Sequence, residues 1–137
     1  MRRLPLPLVF AIAIVASATV YITVVAEQGG VAVINLTNVQ IPSNITLQGL
    51  PDAIRFQNIE GKSFCLYIDV PGGLFIDNGG RVVQGPFHIG CFVSYTYPGF
   101  NSFTVYFNTT RVSNWYDKGF RVIVPPKHVV IRIERYS

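Results

Sequence analysis

From Leu4 to Ala26 the chain carries no charged side chain. As a helix rising about 1.5 Å per residue, those 23 residues would span about 34 Å, enough for a bilayer core of about 30 Å. Arg2 and Arg3 precede the run. The positive-inside rule keeps such an N-terminus in the cytoplasm and sends the remainder outside. Pro5 and Pro7 fall at the start, where the first amides of a helix have no intrahelical acceptor. Gly29–Gly30 supplies a stop and a joint. The run therefore predicts an N-terminal hydrophobic helix over residues 1–28, an anchor or assembly segment. An exported body over residues 31–137 follows it.

A second reading of the same run is a secretory signal. Ala16-Ser17-Ala18 fits the small-x-small cleavage pattern, and Leu8 to Ala16 is an apolar stretch of suitable length before it. Cleavage after Ala18 would leave "TVYITVVAE" at the new N-terminus. That segment is rich in β-branched residues and could form a strand.

The body is built of short apolar runs broken by turn residues. Expected strands are Val31–Leu36, Ile45–Leu50, Ala53–Ile59, Ser63–Val70, Arg81–Gln84, Phe87–Tyr95, Ser102–Thr109, Phe120–Val124 and Val129–Arg135. Alternation is clearest late in the chain. Phe103, Val105 and Phe107 share one face, and Val129, Ile131 and Ile133 share another. Pro71-Gly72-Gly73, Asp77-Asn78-Gly79-Gly80, Pro98-Gly99 and Asp117-Lys118-Gly119 are turn signals. Breaks every 8–12 residues or so point to an antiparallel β-sandwich, immunoglobulin-like or similar. The expected fold is thus an N-terminal apolar α-helix followed by an all-β domain.

Candidate chemistry is sparse. The net charge of +4 includes Arg2 and Arg3, and the other basic residues are scattered, which argues against nucleic-acid binding. The two cysteines, Cys65 and Cys91, predict one disulfide in an exported protein. Asn35-Leu36-Thr37, Asn44-Ile45-Thr46 and Asn108-Thr109-Thr110 are glycosylation sequons, making Asn35, Asn44 and Asn108 the expected glycan sites. His88, Cys91 and His128 are the residue types of a blue-copper site. The only methionine is Met1, so an axial methionine is absent from the body, and no metal or cofactor is expected. The acids are isolated or in turns and no nucleophile motif stands out, so no enzyme activity is expected. Tyr95, Tyr97, Tyr106, Trp115 and Tyr116 are candidates for an outer aromatic face that favours subunit contacts.

The opening "RRLPLPLVFAIAIVASATVYITVV" resembles the N-terminus of archaeal type IV pilins and archaellins. Pro7-Leu8-Val9 stands where that family often has its Ser-Pro-[Leu/Val]-[Ile/Val] stretch. The resemblance implies a helix that anchors the subunit in the membrane before assembly, then packs against copies of itself in a filament core. It also implies an extracellular β-rich domain at the cell surface. The leading expectation is a structural filament subunit that polymerises with itself and displays a glycosylated β-domain. Two alternatives stand beside it: a single-pass membrane-anchored β-domain of a cell-envelope complex, and a secreted subunit that assembles by donor-strand exchange after cleavage near Ala18.

Overall fold

A computed structural model describes residues 20–24, 30–94 and 99–136 of the chain. Its strands are β1 (Val20–Val24), β2 (Val31–Asn35), β3 (Ser43–Leu47), β4 (Ala53–Gln57), β5 (Ser63–Asp69), β6 (Leu74–Ile76), β7 (Val82–Val83), β8 (Phe87–Val93), β9 (Ser102–Tyr106), β10 (Asn108–Thr109), β11 (Lys118–Val124) and β12 (Val129–Arg135). They form two sheets. The first has the order β1-β3-β12-β5-β8, and the second β2-β4-β9-β11-β6-β7, with β10 also paired to β11.

The expected apolar helix is overturned. Val20–Val24, which it would include, is a strand hydrogen-bonded to β3. The rest of the expected helix, residues 1–19 and 25–28, lies outside the described residues, as does Gly29 of the expected joint. Among the described residues the only helical element is a 3-10 turn, Leu36–Asn38, and no helix is long and apolar enough to cross a membrane. The local reason is composition. Val-Tyr-Ile-Thr-Val is β-branched at four of five positions, which restricts χ1 in a helix and suits a pleated sheet.

The sheets are mixed rather than antiparallel. β1 pairs β3, β2 pairs β4 and β9 pairs β11 in parallel. The first two follow from one device: the chain alternates between sheets for its first four strands. β1 and β3 enter the first sheet, β2 and β4 the second. Each parallel pair is thus connected through a strand of the opposite sheet, which supplies the long crossover that parallel neighbours need.

The core lies between the sheets, and alternation builds it. Ser43, Ile45 and Leu47 of β3 point inward, as do Val129, Ile131 and Ile133 of β12, while the intervening residues are half-buried. β8 keeps its phase with an irregularity: Leu66 faces Gly90 but Tyr67 faces His88. The extra residue brings Phe87, Ile89 and Phe92 all to the buried side. Stacked rings join the layers. Phe92 of the first sheet lies 4.8 Å from Phe103 of the second, and Phe103 continues to Phe56 at 5.0 Å.

Gly119 permits a tight crossing in the second sheet. A Cβ there would fall 2.8 Å from the Thr109 carbonyl oxygen, so β11 and the chain after β10 meet backbone to backbone.

The β6–β7 turn carries a titratable lock. The Asp77 carboxylate Oδ1 accepts the N–H of Arg81 at 3.0 Å and that of Gly79 at 2.9 Å. The Arg81 N–H chiefly, with the Gly79 N–H and the Arg81 charge in support, outweighs the opposing loss of hydration and holds the Asp77 carboxyl below the usual carboxylate range. A lowered folded pKa adds stability that is present above the unfolded value and is lost as pH falls through the folded one. We expect the Arg81 amide resonance to titrate with a midpoint below about 3.9, the ordinary aspartate value, and Asp77→Asn to abolish that titration. A midpoint at or above the ordinary value would remove the lock.

Candidate functional site

The feature of this fold with the plainest functional consequence is the edge of the first sheet. β1 is its terminal strand and pairs with β3. The register runs Val20 to Ser43, Tyr21 to Asn44, Ile22 to Ile45, Thr23 to Thr46 and Val24 to Leu47. On its other side β3 pairs antiparallel with β12 over its whole length, Ser43 opposite Ile133 and Leu47 opposite Val129. Without β1, β3 would present a row of unpaired N–H and C=O groups along a strand whose inner residues belong to the core. Such an edge is a template for another strand. Its length suits one five-residue insert, and its partner is a segment near the chain start rather than a strand enclosed by the body.

The sequence-predicted residues are distributed over the two sheets and do not converge. Cys65 and Cys91 are bonded, facing each other across β5 and β8 with Cα atoms 4.0 Å apart. Beside them, the outer face of the first sheet holds a small stack. Tyr67 lies on His88 at 4.7 Å, the Arg132 guanidinium sits 4.9 Å over Tyr67, and Arg132 donates to Glu134 at 3.0 Å. His88 Nε2 is 3.6 Å from Cys91 Sγ. The copper reading loses its thiolate here, because the Cys91 sulfur is already bonded to Cys65. No cluster of three or more His, Cys, Asp or Glu capable of holding a metal occurs among the described residues.

The three sequon asparagines sit in different settings. Asn108, on β10, is exposed. Asn44 is half-buried on β3 between Tyr21 and Arg132 in register. Asn35 is half-buried and structurally engaged: its Oδ1 accepts the Thr37 N–H at 3.0 Å, capping the 3-10 turn, and the Asn58 Nδ2 at 2.7 Å. Of the expected outer aromatics, Trp115 is 75% exposed, Tyr106 and Tyr116 are half-buried, and Tyr95 and Tyr97 lie outside the described residues.

Sequence reading found the strand potential of Val20–Val24 but could not give it a partner. The signal that could have done so is the buried-half-buried alternation of Ser43–Leu47 beside a segment of equal length, Val20–Val24, that is β-branched at four of five positions. Comparison with known protein families, curated proteins and solved structures finds no match to this chain.

Proposed function

We propose that this protein is a structural subunit of an extracellular filament, joined by strand donation: β1 of one copy completes the first sheet of the next. The observation that carries the reading is the parallel seat of β1 on β3 at a sheet edge. A strand paired at a sheet edge can be supplied by a second chain with the same backbone hydrogen bonds. Donation of β1 from each copy to the next is a head-to-tail contact, and contacts of that kind extend into a filament when rotation does not close them. The scarcity of catalytic groupings agrees with a structural role. Copies of itself are the partners, and Asn108 is the sequon best exposed to carry a glycan on the outer surface.

The register provides the test. Tyr21→Cys and Asn44→Cys place thiols on residues opposed across β1 and β3. Full-length chains bearing one substitution each are unfolded together, refolded and mildly oxidised. Strand donation gives a covalent dimer between the two chains, and a double-substituted chain gives a covalent ladder on a denaturing gel. Only intrachain closure in the double variant, with no dimer in the mixture, would overturn the proposal.

A further inference from the structure

The chain's single tryptophan lies in an open groove that the proposed assembly does not use. Trp115 belongs to the segment between β10 and β11, and the groove beside it measures about 730 Å³. Its walls include the β6–β7 turn with Asp77 and Asn78, the β7–β8 connection with Gln84, the start of β8 with His88, the segment holding Ser113, Asn114 and Trp115, and the start of β11 with Lys118. The indole is 75% exposed, so one face of a large aromatic ring is open to a ligand in the groove.

The ring is exposed but held. Phe100, itself buried, lies nearly parallel to it, 6.1 Å between centroids and 7° between planes. Tyr116 meets it edge-on at 5.5 Å and also meets Phe100 edge-on at 5.0 Å. Phe100 continues through Phe92 at 6.2 Å into the core. The platform is therefore an outward extension of the aromatic packing.

The polar rim is anchored as well. Asp117, buried, accepts the Thr104 N–H at 2.9 Å through Oδ1 and the Asn114 Nδ2 at 3.4 Å through Oδ2. This spends the Asp117 carboxylate inside the fold and fixes the Asn114 amide next to the indole. What remains toward the groove is mainly uncharged: the amides of Asn78, Asn114 and Gln84, the Ser113 hydroxyl and the His88 ring. The charges of Asp77 and Lys118 oppose each other.

A fixed flat aromatic surface edged by amides and a hydroxyl, without net charge, fits one ligand chemistry closely. A pyranose ring offers an apolar C–H face to stack and a rim of hydroxyls that both donate and accept. Amides match that rim because each carries both functions. A nucleotide or acidic polymer would need a cluster of cationic groups, whereas this groove offers Lys118, opposed by Asp77, and the His88 ring. We propose that the Trp115 groove binds a neutral polysaccharide chain, with Trp115 as the stacking platform and Asn114 as the positioned hydrogen-bonding residue.

Because Trp115 is the only tryptophan, its fluorescence reports on this groove alone. The full chain, produced without glycans, is titrated with cellohexaose, mannohexaose and chitohexaose. At least one should shift the emission to the blue and lower acrylamide quenching about twofold. By calorimetry, Trp115→Ala should weaken that binding about tenfold or more while Trp115→Tyr retains most of it, and Asn114→Ala should weaken it with the platform intact. Glycosylated copies of the chain, added instead of free sugar, separate the sources: protection by them alone makes the ligand a neighbour's glycan in the same groove. No response to any of these sugars or to glycosylated copies would overturn the proposal. So would unchanged binding in both Trp115→Ala and Asn114→Ala, or a shift that follows the concentration of glycan-free protein with no sugar present, which would make the groove a contact between copies.

Discussion

Phe75→Ala is expected to destabilise the fold by about 3–5 kcal/mol, the largest single-residue loss anticipated in this chain. Phe75 is fully buried on β6 in the second sheet. Its ring meets Phe87 of the first sheet edge-on at 5.4 Å, and Phe107 and Phe120 at 5.7 and 6.3 Å. Removing it deletes a ring that bridges the two layers. The hole would not close easily. Phe87 and Phe120 stack on each other at 4.5 Å and brace one wall. The backbone at Gly73 forms another, since a Cβ there would come within 2.8 Å of the Phe75 ring. Walls of rigid rings and backbone relax little, which places the loss toward the upper part of the range. Phe75→Leu should cost less than about 2 kcal/mol, because it refills most of the volume. Equilibrium urea unfolding of both variants measures this. A Phe75→Ala loss below about 1 kcal/mol would mean that the rings do not form the continuous core described.

The same strand shows what sequence reading could not see. Leu74-Phe75-Ile76 is three residues between turns, too short for alternation to be counted. Its neighbours fix it instead, through antiparallel pairing with β11 and β7. β12 is the opposite case. Val129, Ile131 and Ile133 alternate without interruption, and the expected Val129–Arg135 is the observed strand. Most other expected strands of the body lie within a few residues of observed ones, since turn residues mark their ends. Sheet order was not legible. Parallel pairing of β1 with β3 and of β2 with β4 depends on the chain switching sheets at each turn, and no local pattern encodes that.

The N-terminal strand is the instructive miss. Over a window of 23 residues, the absence of charge reads as a helix, because length and hydropathy are the signals for a membrane span. Over five residues, Val20–Val24 reads as a strand. The two readings conflict, and in the fold the shorter one prevails because β3 offers an edge of equal length. The groove was legible only in part. Trp115 could be named as an outer aromatic, but Asp77, Asn78 and Gln84 reach it from more than 30 residues away in sequence. The disulfide was the most legible pairing, because two cysteines allow a single bridge.

Replacing both cysteines, Cys65→Ala with Cys91→Ala, is expected to lower stability by about 3–4 kcal/mol in the chain-entropy account of a cross-link. The bridge joins residues separated by 26 in sequence and encloses β6 and β7. It sits one residue pair from the irregularity in β8, where Leu66 faces Gly90 and Tyr67 faces His88. It therefore also pins the register of an edge strand next to the point where pairing is interrupted. Because the effect acts on the unfolded chain, urea unfolding should show a lower midpoint together with a steeper slope, as the unlinked chain exposes more surface. A lower midpoint with an unchanged slope would place the contribution in the folded state instead. A loss below about 1 kcal/mol would remove the constraint altogether. The variant also separates stability from assembly. β12 and β5 stand between β3 and the bridged strand β8, so the bridge lies at the far edge from β1. Below its lowered melting temperature, the cysteine-free chain should still form the interchain Tyr21→Cys to Asn44→Cys cross-link in the mixed refolding experiment. With the native pair gone, those are its only thiols, and any dimer reports on the β1–β3 edge alone.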